Sequence, residues 1–192
     1  MNVAILVYEG VYLLDFCGPL EIFYDAVLAN NKKAFHVFLV AISKKTIKSH
    51  TGTEIIPDYT LETCPNPDVL VIPGGDLELS EKDPKMGKWI LETSHKTQIT
   101  LSICTGAFIL ASLGMLDHLK AVTWYGALGF LQIKFPKIQV QSDARITDNG
   151  KIITTAGVSA GIDGALHVVA KLINQETAIK TARYIEYVWN PL

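Results

Sequence analysis

Ile99–Ala107, Ile-Thr-Leu-Ser-Ile-Cys-Thr-Gly-Ala, is the stretch on which the fold turns. Ile99, Thr100, Leu101 and Ile103 suit a buried pleated strand. A helix follows at once, from Thr105 to Ala111, so the chain turns sharply at Cys104. A side chain on such a strand-to-helix turn is presented at the top of the sheet, as in the nucleophile elbow of hydrolases. Gly106 and Ala107 are small enough for the helix to pack closely behind it. The positive end of the helix dipole favours a thiolate, which predicts a lowered pKa and high reactivity at Cys104. A core cysteine packed as a small hydrophobe is the plainer alternative.

The chain has 192 residues, the size of one domain spanning 1–192. Hydrophobic residues make up 49%, enough for a sizeable core, and a net charge of -2 leaves no broad basic field for nucleic acid. No apolar run reaches the ~18 residues of a membrane span. Met1–Ala4 lacks a basic segment ahead of its apolar run and reads as a first strand, not a signal peptide. Cys17, Cys64 and Cys104 are widely spaced and form neither a disulfide framework nor a metal pattern. The expectation is a reducing, cytoplasmic compartment, with no metal and no cofactor.

In chain order, Val3–Tyr8 is a continuous apolar run, as in a strand covered on both faces. Leu13–Pro19 leads into a helix with Pro19 in its first turn. Phe35–Ile42 and Val69–Ile72 are further buried strands, and Pro73-Gly74-Gly75 ends the second of them. Between these two strands, Ser43–Ile56 reads as a polar hairpin around Thr51-Gly52. Pro84–His95 reads as a helix, Ala121–Trp124 as a short strand and Tyr125–Ile133 as a helix. Asp148-Asn149-Gly150 is a hairpin turn between Ala144–Thr147 and Lys151–Thr155. Helices are expected over Ile162–Leu172 and Gln175–Tyr187.

Strands alternating with helices predict an α/β fold with a doubly wound, mainly parallel sheet sandwiched by helices. Ligands bind beyond the carboxyl ends of such strands. Asp15, the Gly74-Gly75 turn and the Cys104 elbow therefore belong to one cleft.

Three segments together resemble the ThiJ/PfpI superfamily, whose flavodoxin-like sandwich is shared with class I glutamine amidotransferase domains. They are Val71–Gly75, Ser102–Ala107 and Thr155–Asp163. Leu14-Asp-Phe-Cys-Gly-Pro19 combined with Cys-Thr-Gly is similar to the isocyanide hydratase branch and to the amidase-like domains of certain transcription regulators. Thr105 stands where protease-like members have histidine, and Trp124 stands where isocyanide hydratases and many relatives show Thr-His. The resemblance therefore supplies no histidine partner for Cys104. The chain ends at Leu192, which leaves no room for a regulator's DNA-binding domain.

Cys104 is the expected nucleophile and Asp15 the acid/base, its carboxyl pushed toward the protonated form by the neighbouring thiolate. The plainer reading of Asp15 is a helix N-cap. Gly75 and Thr105 are candidate backbone donors to a developing anion, with Gly74 beside them. Their alternatives are a tight turn and a first-turn helix residue. Thr105 also offers a hydroxyl to a substrate. Cys17 and Trp124 are candidate pocket walls, and Asp163 caps its helix or bonds back toward the site, capping being the preferred reading. His36, His50, His95, His118 and His167 show no metal-ligand spacing and read as surface or core residues. Gly157–Gly161 lacks a P-loop lysine and the strand-one position of a dinucleotide fingerprint.

The activity implied is isocyanide hydration to an N-formamide. Glyoxalase or deglycase action on reactive carbonyls and non-catalytic small-molecule or redox sensing are the alternatives. The expected partners are a small-molecule substrate and a second copy in a homodimer, with no membrane.

Overall fold

A computed structural model describes residues 1–76 and 83–191. The chain opens with strand β1 (Asn2–Leu6), helix α1 (Leu13–Asp25) and strand β2 (His36–Ala41). β3 (Ile47–Lys48) and β4 (Glu54–Ile55) pair as the antiparallel hairpin expected around Thr51-Gly52. β5 (Tyr59–Thr60) and β6 (Val69–Ile72) come next, then α2 (Pro84–Lys96). Asp83 caps α2 by accepting from the Lys85 and Met86 amides, and Pro84 opens its first turn. β7 (Ile99–Ile103) and α3 (Gly106–Ser112) flank the Cys104 turn. They are followed by β8 (Lys120–Ala121), a 3-10 turn at Tyr125–Ala127, α4 (Leu128–Lys134) and β9 (Gln139–Val140). The hairpin of β10 (Ile146–Asp148) and β11 (Ile152–Thr155) precedes α5 (Ala160–Leu172) and α6 (Gln175–Tyr184).

Seven strands form one sheet in the order β10-β11-β7-β6-β1-β2-β5. Every pairing in it is parallel except β10 with β11. β6 and β7 are buried along their whole length, which explains their unbroken apolar runs. The chain winds outward to β2 on one side of β1 and to β6, β7 and β11 on the other. In doubly wound sheets such a reversal, at the carboxyl ends of β1, β6 and β7 here, is where ligands bind. Among the described residues, no helix is long and apolar enough to cross a membrane.

Several boundaries differ from the sequence reading. α1 starts at Leu13, so Pro19 lies inside the helix, not in its first turn. Pro19 has no amide proton for the carbonyl four residues back. The helix continues because it buries a whole face: Asp15, Phe16, Gly18, Pro19, Ile22 and Phe23. The edge strand β5 carries only two residues and no alternation to announce it. α6 ends at Tyr184, and residues up to Tyr187 leave the helix for a tertiary contact described below.

The tight seam between β6 and α3 holds the elbow against the sheet. A Cβ on Gly106 would collide with the carbonyl oxygens of Ile72 and Pro73. Gly106→Ala is expected to cost about 1–3 kcal/mol as overpacking against rigid backbone. Urea unfolding measures it, and a variant as stable as the parent contradicts the seam.

Candidate active site

Cys104 occupies the sharp turn between β7 and α3 with φ 54°, in the left-handed region. A non-glycine residue there stores strain of order 1–3 kcal/mol and needs its surroundings to hold it. Its amide donates to the Ala156 carbonyl at 3.2 Å. Its carbonyl accepts from the Thr123 hydroxyl at 2.6 Å. The elbow is thus clamped from β11 on one side and from the segment after β8 on the other. The residue is 4% exposed.

Asp15 reaches the same point from α1 and is 0% exposed. Its Oδ2 accepts the Gly74 amide at 2.9 Å. Its Oδ1 has no well-formed hydrogen bond among the described residues. The Cys104 thiol and the Val158 amide nevertheless lie close enough to act on the carboxyl electrostatically. The cap reading of Asp15 does not hold. The N-cap position of α1 is Tyr12, which makes no side-chain cap bond, and Asp15 points across to β6 from inside the helix. Gly74 must be glycine for this approach. A Cβ there would stand 2.7 Å from Thr105 Oγ1 and 2.8 Å from Asp15 Oδ2.

Burial pushes Asp15 from 3.8 up to about 6, against the pull of the Gly74, Cys104 and Val158 donors. Burial, and after it the Asp15 charge, pushes Cys104 up to about 12, opposed by the Thr105 and Val158 amides. The lowered thiol pKa expected from the helix start is therefore corrected. Desolvation and a neighbouring carboxylate outweigh two amide donors. The two groups titrate as a pair: the first proton leaves near 6, and the resting state near neutral pH is a thiol beside a carboxylate.

The expected anion donors need a second correction. The Gly74 amide is already committed to Asp15, and the Gly75 amide donates to Thr105 Oγ1 at 3.0 Å. The Thr105 hydroxyl in turn donates to the Gly75 carbonyl at 3.2 Å, so it is engaged with the β6 turn instead of facing outward as a free group. The donors left at the sulfur are the backbone amides of Thr105 and Val158. Trp124 lies over Gly157, the neighbour of Val158, and is 39% exposed. Cys17 is half-buried against the core. Burial and then Glu21 push its thiol up. Cys64 is pushed up to about 11 by burial and donates to the Pro65 carbonyl.

Asp163 does not cap α5. It accepts from Arg145 at 2.6 Å and from the Tyr187 hydroxyl at 3.0 Å. His167 binds Asp148, while His50 stacks on Tyr12 with ring centroids 3.8 Å apart. The sequence reading missed Thr123 and Val158. Val158 carries φ 54°, and the glycines on either side of Val158-Ser159-Ala160 were the available signal of an unusual turn.

A model of the DJ-1/PfpI family matches residues 1–171. The chain belongs to the DJ-1/PfpI family. Within it, the chain is 29% identical over 198 residues to isonitrile hydratase of Pseudomonas putida, covering 100% of this chain and 80% of that enzyme. It is 26% identical over 136 residues to the HTH-type transcriptional regulator CdhR of Pseudomonas aeruginosa, covering 71% of this chain and 40% of the regulator. The crystal structure of a ThiJ/PfpI family protein from Pseudomonas syringae superimposes with a TM-score of 0.86 at 30% identity. That match covers 99% of this chain and 76% of the other.

The pair predicts a pH-dependent cost of the buried carboxylate. Asp15 ionises at about 6 in the folded chain against an ordinary 3.8, so its charge opposes folding. The penalty is absent below the ordinary value, grows across the interval and is complete above about 6. Asp15→Asn removes it, and the variant is expected to be more stable than the parent by roughly 3 kcal/mol near pH 8. The gap should close toward pH ~4. Denaturant unfolding at both pH values checks this, and a gap independent of pH contradicts it.

Proposed function

We propose that the protein is a cofactor-free, cysteine-dependent hydratase that converts a small isocyanide to its N-formamide. The observation that carries this reading is the buried Asp15 Oδ1, without a well-formed hydrogen bond and set beside the Cys104 thiol. A carboxyl group placed there can take the thiol proton and return it to carbon, with no histidine required. The similarity to isonitrile hydratase along the whole chain supports the substrate class.

The Asp15 carboxylate takes the Cys104 proton as sulfur bonds to the terminal isocyanide carbon. The protonated Asp15 then delivers that proton to the same carbon, leaving a thioimidate. The Thr105 and Val158 amides face the sulfur while its charge changes. Water adds to the thioimidate carbon, Asp15 relays a proton, the carbon–sulfur bond breaks and the thiol is restored. The product, R–NH–CHO, contains the isocyanide plus one water.

Non-catalytic sensing at the same pocket is the second reading, supported by the similarity to CdhR. A homodimer remains part of the proposal, and sedimentation at micromolar concentration checks it.

The purified protein should convert members of an isocyanide panel to formamides detected by mass spectrometry. Cys104→Ala and Asp15→Asn are each expected to lower turnover by at least ~100-fold, and the double variant should be little worse than either. Additive losses would mean that the two side chains do not act as one unit. Binding of panel members without turnover would favour the sensor, and turnover of 2-oxoaldehydes alone would favour carbonyl chemistry.

A further inference from the structure

Val158 is β-branched and holds φ 54°, a backbone conformation that such residues rarely adopt. Its amide lies close enough to Asp15 and Cys104 to favour the charged form of each. Something must hold this turn in place, and the hydrogen bonds around it converge on one residue. The Arg145 carbonyl accepts the Ala156 amide at 2.9 Å, just before the turn. The Arg145 guanidinium donates through Nη2 to Ser159 Oγ at 3.1 Å, just after it. The same guanidinium donates through Nε to Asp163 Oδ2 at 2.6 Å, in the first turn of α5. Ala156 in turn accepts the Cys104 amide at 3.2 Å, so the chain of contacts runs from Arg145 to the elbow itself.

Asp163 is buried and takes a second donor, the Tyr187 hydroxyl at 3.0 Å. Tyr187 lies beyond the end of α6, fixed by its own amide to the Ala182 carbonyl at 2.9 Å. An exposed ion pair alone contributes little. Here the acceptor is buried, two donors meet on one oxygen, and the arginine spans both ends of a strained turn.

We propose that Arg145, oriented by Asp163 and Tyr187, is a positioning residue that staples the turn aiming the Val158 amide at the Cys104–Asp15 pair. The segment after α6 thereby becomes part of the site without touching a substrate. The inference rests on Cys104 and Asp15 acting as a pair, and not on which electrophile they meet. The titratable group facing the thiol from α1 is Asp15; on the turn's side the charged groups are Arg145 and Asp163, with the phenol of Tyr187.

Iodoacetamide labelling of Cys104 across pH, quantified by peptide mass spectrometry, tests this on the full chain without a substrate. Labelling of the parent should rise near 6, where Asp15 ionises and can take the Cys104 proton during alkylation. A donor to the charged pair lowers that midpoint. Tyr187→Phe and Arg145→Lys are therefore expected to move it up by about one pH unit and to slow labelling roughly tenfold below it. Arg145→Lys keeps the charge, so its shift reports geometry. Cys17 labelling should stay as in the parent, which separates a displaced turn from general loosening. Superimposable Cys104 profiles for parent and Tyr187→Phe overturn the proposal. That variant removes one oxygen and decides the question even if Arg145→Lys does not fold. Failure of isocyanide hydration leaves this readout intact, because alkylation needs only the thiol.

Discussion

A carboxyl group buried against a thiol, with no full countercharge beside it, is the constraint on which the rest of this structure depends. Asp15 is tied at one oxygen to the Gly74 amide and presents the other to Cys104. Removing a carboxylate from water is costly, and partial compensation comes from the Gly74 amide, the Cys104 thiol and the Val158 amide. Those three groups arrive from just beyond the ends of β6, β7 and β11. The sheet order brings them together, because β11, β7 and β6 are parallel neighbours whose carboxyl ends share one edge next to β1. The smallness of Gly74 and Gly106 lets the three chain segments close to contact.

Strain accompanies this closeness. Cys104 and Val158 both sit at φ 54°, on the two turns that meet over the carboxyl. Such conformations persist where the surrounding structure over-determines them. Around Cys104 the work is done by Ala156 and Thr123, and around Val158 by Arg145, Ser159 and Asp163. The buried strands β6 and β7 beneath them provide the rigid base from which both turns are held. Local backbone energy is thereby exchanged for fixed donor directions at the sulfur, which is how preorganised sites are built.

The chemistry of the pair follows from what each group loses on burial. A thiol and a carboxyl in contact cannot both ionise, so they share a single proton near neutral pH. The positive end of α3 favours a thiolate at the elbow, but desolvation and the carboxylate outweigh it. Near neutral pH the remaining proton is kept within the pair. Thr105 uses its hydroxyl to bind the β6 turn.

Much of this was legible in the sequence because it depends on local pattern. The unbroken apolar runs of β1, β6 and β7, the Asn149-Gly150 hairpin and the strand-to-helix turn at Cys104 are short-range signals, and they were enough for a doubly wound sheet. That in turn brings Asp15, Gly74 and Cys104 to one edge without any knowledge of contacts. What only the tertiary structure decided is how polar groups were shared out. The Gly74 and Gly75 amides, free donors on paper, are consumed by Asp15 and Thr105. The Val158 amide lies near the sulfur instead, on a turn whose Ser159 accepts from Arg145, and Tyr187 from beyond α6 shares Asp163 with that arginine. The direction of the Cys104 shift was equally out of reach. A helix terminus can be seen in a few residues, whereas desolvation is a sum over every segment packed around the sulfur. Periodicity is a local property of the chain; hydrogen-bond partners and burial are set by residues distant in sequence, and folding alone brings them together.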